Sequence, residues 1–286
     1  VKIQTMSVVV GTSECNAHCP FCVSRQTPKH DLPITPNWRN FKIACKLADK
    51  AGATTILFTG KGEPTLHPEL ITEYLIAIKN SGCNFPFIEL QTNGIQIGNG
   101  ELTYSDAHFL DRWYKLGLTT IALSAVETGF ANKKIYSDNY PEVEQTAKII
   151  IDNGFSVRLS IMMMKTYICK PIDVLRVVDF CKANKIKQLT LRPIARVQDD
   201  TAITQWVNSH TLSDGELETI MAYIKRYGVP VLNLAHGAVV YDFMGQNLCL
   251  SNCLTTDTTD DSMRQIIFYP DGTISFNWKY TGAVLL

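Results

Sequence analysis

Met6-Ser7-Val8-Val9-Val10-Gly11-Thr12-Ser13-Glu14-Cys15-Asn16-Ala17-His18-Cys19-Pro20-Phe21-Cys22 joins a short apolar run to three cysteines in the spacing Cys-x3-Cys-x2-Cys. The run reads as a buried strand and the cysteines as the loop that leaves it. That spacing wraps Cys15, Cys19 and Cys22 around one face of a cubane iron–sulfur cluster and supplies no fourth ligand, so one iron stays open. Structural zinc sites close with four ligands, and a finger would bring its second pair from a little further on. No Cys or His pair follows at that distance. An open iron is a place for chemistry.

Outward from this segment, apolar strands alternate with amphipathic helices, the pattern of a parallel sheet covered by helices and hence of an α/β fold. Strands are expected at 6–11, 55–59, 87–91, 119–124, 155–163 and 187–192, with helices near 36–51, 68–81, 105–116, 141–153 and 171–184. Pro36, Pro68, Pro141 and Pro171 fit the first helical turn, and Asn139 followed by Glu142 fits a cap. Gly52, Gly82, Gly117 and Gly154 stand where helices should stop. The pattern alone admits either an open doubly wound sheet or a partial barrel. After Pro193 the rhythm breaks: a loop with Asp199 and Asp200 leads to a helix opened by Ser213 and Glu216 in capping-box spacing. A strand at 230–234, an irregular stretch to Asp261 and a hairpin, 263–269 with 273–278 around Pro270-Asp271-Gly272, close the chain.

Four of the six strands set a polar face against an apolar one. Arg158, Ser160 and Met162 oppose Val157, Leu159 and Ile161; Glu89 and Gln91 oppose Ile88 and Leu90. Thr120, Ala122 and Ser124, and then Thr190 and Arg192, repeat the split. Strands buried on both faces read as nearly continuous apolar runs, so these polar faces should line a hydrophilic cavity.

With its aromatic Phe21 just before the last cysteine, the triad resembles the signature of the radical S-adenosylmethionine (radical SAM) superfamily. The resemblance spans roughly residues 6 to 193. It implies a partial (β/α)6 TIM-like barrel, open on one side, in residues 1–195, with its site at the C-terminal ends of the strands. It also implies a 4Fe-4S cluster on the triad and S-adenosyl-L-methionine (SAM) on its open iron. One electron from a flavodoxin or ferredoxin would cleave SAM to a 5′-deoxyadenosyl radical that takes hydrogen from a substrate. Gly60-Lys61-Gly62-Glu63-Pro64 matches the family's Gly-Gly-Glu-Pro motif apart from Lys61, which implies that Gly62 and Glu63 hold the methionine amino group of SAM and that Gly60 belongs to the same cofactor site. Thr92 and Asn93 resemble the Thr-Asn-Gly turn after the third strand. Ser124 and Arg158 sit where relatives contact the ribose or carboxylate of SAM, and a guanidinium fork suits a carboxylate. Leu191 and Arg192 resemble the end of the sixth strand, whose backbone lies along the adenine.

Residues 196–286 resemble the small α+β "twitch" or truncated SPASM extension that covers the substrate pocket. Its auxiliary-cluster cysteine after the hairpin turn is replaced here by Asn277. An auxiliary iron–sulfur cluster at Cys249 and Cys253 would therefore need Cys169 or a non-cysteine ligand. Otherwise Cys169, Cys249 and Cys253 are candidate catalytic hydrogen donors. Cys45, Cys83 and Cys181 read as small buried hydrophobes.

Composition narrows the partners. With 27 basic and 27 acidic residues, the chain lacks the positive field of a nucleic-acid binder. No apolar run approaches eighteen residues, and the start shows no charged-then-apolar leader. Neither a membrane span nor export is expected, and nine cysteines then point to a reducing, cytoplasmic compartment. The substrate reading leans to a peptide or amino acid in a biosynthetic pathway, followed by a small polar metabolite (a sugar or nucleotide) with Arg192 or Arg196 as anion clamp. A non-enzymatic iron–sulfur or zinc redox sensor and an RNA-modifying enzyme remain as alternatives.

Overall fold

β1 (Lys2–Val9) runs through the cysteine loop and a 3-10 turn, Val23–Gln26, to α1 (Trp38–Lys50). β2 (Thr55–Thr59), a 3-10 turn at Pro64–Leu66 and α2 (Pro68–Lys79) follow, then β3 (Phe87–Thr92), the short α3 (Ile95–Gly98) and α4 (Phe109–Lys115). β4 (Thr120–Ala125), α5 (Ala131–Ile135), α6 (Val143–Asp152), β5 (Ser156–Met163), α7 (Pro171–Ala183) and β6 (Gln188–Pro193) complete the series. Each strand pairs in parallel with the next: Met6 lies opposite Ile56, Ile56 opposite Ile88, Leu90 opposite Ile121, Ile121 opposite Val157 and Leu159 opposite Leu189. This computed structural model describes the chain apart from residues 31, 103–107, 195–201, 235–236, 252–261 and 281. The expected partial (β/α)6 barrel is present.

The helices bury the face their spacing dictates. Phe41, Ala44, Cys45 and Ala48 of α1 are fully buried at i, i+3, i+4 and i+7. Phe41 meets Tyr74 of α2 at 4.9 Å between ring centroids, and burying such a ring contributes about 2 kcal/mol. Pro68 and Pro171 open α2 and α7 as expected, whereas Pro36 and Pro141 stand one residue before the caps Asn37 and Glu142. Asn139 lies outside the cap of α6, too far upstream for its side chain to reach the first turn. Gly52, Gly82, Gly117 and Gly154 all take positive φ after their helices. No helix among the described residues is long and apolar enough to cross a membrane.

Beyond β6 come α8 (Ala202–His210), α9 (Asp214–Tyr227), β7 (Gly228–Asn233), β8 (Val239–Phe243), β9 (Gln246–Leu250), β10 (Ser262–Phe268) and β11 (Ile274–Ser275). Ser213 and Glu216 form the expected capping box on α9. The stretch expected to be irregular instead holds a β8–β9 hairpin. Its two-residue turn is Met244-Gly245, with φ of 54° and 83°, so both residues are left-handed. Asn or Asp usually announces such a turn, and Met in the first place hid it. Asp242 Oδ1 accepts from Gly245 N at 2.8 Å and supports the strained backbone.

These late strands extend the barrel wall at both ends. The order is β11-β10-β1-β2-β3-β4-β5-β6-β9-β8-β7. β9 runs parallel to β6, placing Cys249 opposite Thr190, and β10 runs parallel to β1, placing Ile267 opposite Ser7. The turn after β10 docks on the start of α1, where Asn37 N donates to Pro270 O and Asn40 Nδ2 to Gly272 O.

Candidate active site

The cysteine loop is fastened mainly through its backbone. Glu63 N donates to Glu14 O at 2.9 Å, and a Cβ on Gly62 would lie 1.9 Å from that same oxygen, so only glycine allows the two loops to touch. His18 N donates to Tyr136 O, and Asn93 Nδ2 donates to Asn16 Oδ1 at 2.7 Å. Phe21, 7% exposed, packs edge-on against Tyr136 and tilted against Trp206 of α8. The triad thus rests on the loops after β2, β3 and β4.

Glu63 is the staple of this rim. Its Oε1 accepts from Thr65 N, Thr65 Oγ1 and Thr92 Oγ1 at 3.0, 2.7 and 2.7 Å, and its Oε2 accepts from Asn93 N at 2.9 Å. Burial pushes its carboxyl above the usual range, and these donors offset part of that rise. Thr92 and Asn93 are thereby occupied as well: Thr92 Oγ1 accepts from Gly94 N, and Asn93 Oδ1 from Ile95 N. Lys61 turns the other way, donating to Thr27 Oγ1 and Pro28 O, with the Trp278 ring 5.9 Å off. Desolvation holds its ammonium down to about 8.

The thiols suit a cluster. Cys15 is exposed, while Cys19 and Cys22 are half-buried. Burial first, and then the neighbouring Cys22 and Cys15, push Cys19 up to about 12. Thiols in that situation become thiolates when a cation supplies the missing positive charge. Among the described residues no group of three His, Cys, Asp or Glu is gathered to hold a single metal ion. A cubane differs in that each thiolate takes its own iron. The Tyr136 hydroxyl, buried without a hydrogen-bond partner, is a further polar group on this side, where the charges of Cys19 and Cys22 act on it.

Beneath the rim lies a cavity of about 620 Å³ inside the barrel. The polar faces of β3 and β6 line it as expected, through Glu89, Gln91, Thr190 and Arg192, and β5 contributes Arg158, whereas Ser160 and Met162 of the same expected face are not part of the lining. The face of β4 does not. Ser124 is no part of the lining, and its carbonyl accepts from Tyr140 Oη. Gly60 and Lys61 line the cavity near the cysteine loop; Gly62 and Glu63 do not. Register sets Ser160, not Arg158, beside Ser124, and puts Arg158 beside Ala122. Over that small side chain Arg158 Nη2 donates to Glu89 Oε1, which also accepts from Gln91 Nε2 at 3.1 Å. Leu191 is buried and its carbonyl accepts from Ser251 N.

The other cysteines separate. Cys249 lines the cavity. Cys169 does not: its backbone N–H donates to Asp173 Oδ2 at the start of α7. Cys253, like Arg196, Asp199 and Asp200, lies outside the described residues. Sequence reading missed Asn16, Tyr136, Arg264, Gln265 and Trp278. Only tertiary pairing brings the first two to the rim and the last three to the cavity, although the expected closing hairpin does cover β10 and Trp278. A second cavity, about 750 Å³, opens between α9 and the ends of β6 and β9. Its lining, with Leu212, Leu217, Met221 and Leu250, includes no residue of the rim, so the barrel interior is the candidate site.

The family profile of the Radical SAM superfamily matches residues 9–178. Among solved structures, Streptococcus suis SuiB bound to S-adenosylmethionine superposes with a TM-score of 0.62 at 16% identity, covering 96% of this chain and 60% of SuiB. SuiB bound to precursor peptide SuiA gives 0.60 at 16%, covering 96% and 59%. Hexahistidine-tagged anSMEcpe with bound AdoMet gives 0.63 at 14%, covering 96% and 74%. The chain therefore spans about 60% of the length of SuiB, and these likenesses are of fold. No curated protein matches.

Proposed function

The chain belongs to the radical SAM superfamily, and on that premise we propose that it is an enzyme holding a 4Fe-4S cluster on Cys15, Cys19 and Cys22, with SAM on the adjoining rim. The observation that carries this is the docking of the cysteine loop on the Gly62-Glu63 loop, backbone to backbone, above a polar cavity. When bound, the cluster and SAM supply a one-electron cleavage of the SAM sulfur–carbon bond, giving methionine and a 5′-deoxyadenosyl radical that takes a hydrogen atom from substrate.

The chain's own residues bind, orient and shut out water. Phe21 anchors the last turn of the loop, and Glu63 locks the β2 and β3 loops at fixed spacing. Gly60, Gly62, Thr92, Asn93, Ser124 and the backbone at Leu191, at the ends of their strands, serve SAM. Residues 196–286 act as the extension that completes the cavity wall, with Cys249, Arg264, Gln265 and Trp278. Burial keeps the Cys249 thiol protonated, the state a hydrogen donor needs. A flavodoxin or ferredoxin supplies the electron, in the cytoplasm.

The substrate is a peptide or amino acid. A peptide-bound structure of the same fold, SuiB with SuiA, supports this reading. A small polar metabolite is the second reading, favoured by a cavity of only about 620 Å³. The test is anaerobic reconstitution followed by dithionite and SAM. The proposal expects 5′-deoxyadenosine from the wild-type chain and none above background from Cys15→Ala. Equal yields from the two, with a fully loaded wild-type cluster, overturn it.

A further inference from the structure

We propose that Lys61 is the counter-charge of the iron–sulfur cluster: its buried ammonium, clamped onto the segment that follows Cys22, raises the potential at which the cluster takes up its electron. This deepens the functional reading and rests on it, because it needs the cluster on Cys15, Cys19 and Cys22.

Lys61 is the residue by which the loop after β2 departs from Gly-Gly-Glu-Pro, and its neighbour Gly62 meets the cysteine loop at Glu14 O. Its side chain turns inward. It is 8% exposed and lines the barrel cavity together with Val23, Ser24, Thr27 and Trp278. Nζ donates to Thr27 Oγ1 at 2.6 Å and to Pro28 O at 3.1 Å. Thr27 Oγ1 in turn donates to the carbonyls of Val23 and Ser24, at 3.1 and 3.3 Å, and Ser24 Oγ donates to Lys61 O. The ammonium is thus held against the turn that leaves Cys22. Every hydrogen-bond partner in that network is neutral. None of the ion pairs among the described residues includes Lys61, and the charge that acts on its ammonium is the thiolate of Cys22. Lysines buried to this degree are normally paired with an anion. An oxidised cubane on three thiolates is a net anion and its reduced form is a stronger one, so a cation held beside it favours reduction. Arg25 also acts on the triad, at Cys15 and Cys19, but it is exposed. Salt screens a charge in that position, whereas the charge of Lys61, buried with the Trp278 ring 5.9 Å away, is screened far less.

A redox titration of the reconstituted cluster, without SAM and at neutral pH, decides it. Dithionite supplies one electron to each cluster, and electron paramagnetic resonance follows the reduced form. Lys61→Gln keeps a donor for Thr27 Oγ1 and removes the charge. The proposal expects iron per chain to stay at the wild-type value and the reduction constant to fall about tenfold, a midpoint about 59 mV more negative for one electron. Lys61→Arg, which restores the charge, should lie close to wild type. In about 1 M salt, where the Debye length is about 3 Å, the shift of Lys61→Gln persists while the smaller shift of Arg25→Gln disappears. A clamp without an electrostatic role gives the opposite sign: loosening it wets the cluster, water stabilises the more highly charged reduced form, and the midpoint rises. A midpoint unmoved or raised in Lys61→Gln, or a Lys61→Arg midpoint equal to that of Lys61→Gln, overturns the counter-charge. Should Lys61→Gln fail to retain iron, Lys61→Met is titrated against the same expectations, and iron lost from both overturns it as well. A wild-type chain that forms no reducible cluster overturns the functional reading and this proposal together. The other outcomes leave 5′-deoxyadenosine formation by the wild-type chain untouched, so the two failures are distinct.

Discussion

The rim and the chamber beneath it are both polar, and they are polar in different ways. At the rim nearly every named group is spoken for: Glu63 accepts four hydrogen bonds, and Thr92, Asn93 and Asn16 are cross-linked through them. In the chamber, by contrast, the Arg158–Glu89 pair leaves one buried donor, Arg158 Nε, with no hydrogen-bond partner. Closed polar networks specify one geometry, and open ones keep affinity for something not yet there. A loop that must present three thiols to a cluster needs the first property. A chamber that must accept a substrate needs the second.

The sharpest way to break the contrast is at the closest contact of the rim. Gly62→Ala would drive a methyl group into Glu14 O, 1.9 Å away, and overpacking of this kind costs about 3 kcal/mol. The expected outcome is loss of iron retention after reconstitution, read by iron per chain, whereas Gly215→Ala, with nothing near its Cβ, keeps it. Glu63→Ala comes next. It strands the Thr65 and Asn93 amides and the two threonine hydroxyls, for about 3 kcal/mol by urea denaturation, and Glu63→Gln recovers part of that.

In the chamber the comparison turns on the Arg158–Glu89 pair. Arg158→Met alone leaves a buried carboxylate and costs about 2 kcal/mol, reduced from the fully buried case because Arg158 keeps some exposure. The double variant Arg158→Met with Glu89→Leu should recover most of it. A double-mutant cycle with no coupling would show that the pair does not hold the wall together.

Lys61, between the two regions, gives a smaller signature in pH. Its folded value is near 8 against an ordinary 10.5, so between those values the unfolded chain holds the proton that the folded chain has released. Stability should therefore rise as pH climbs from about 8 to about 10.5, and Lys61→Met should flatten that rise. The smallest effect is expected at Tyr136. Its hydroxyl has no partner to lose, so Tyr136→Phe should change the stability of the cluster-free chain by less than about 1 kcal/mol.

Legibility followed chain distance. The six barrel strands were readable because each carries its own apolar period and its own turn signals, and five of the strands agree at both ends to within one residue. β1 starts four residues earlier than the apolar run, because Lys2–Thr5 pair with β10 and β2 across the sheet and not through their own hydrophobicity. The β8–β9 hairpin was hidden by a methionine in a left-handed turn. The β4 face read as cavity lining is not, since the side chains of Arg158 and Glu89 meet across Ala122.

Sequence by itself determined the triad, the loop that faces it and the alternation that makes a parallel barrel, because each is written in residues close together along the chain. Tertiary structure alone decided that Glu63 bonds inward to the β3 loop, that Arg158 pairs across a neighbouring strand, and that β9 and β10 bring Cys249 and Arg264 into one chamber. Those outcomes depend on strand register, a long-range choice set by how whole faces pack, and no local pattern encodes which residues it will place opposite one another.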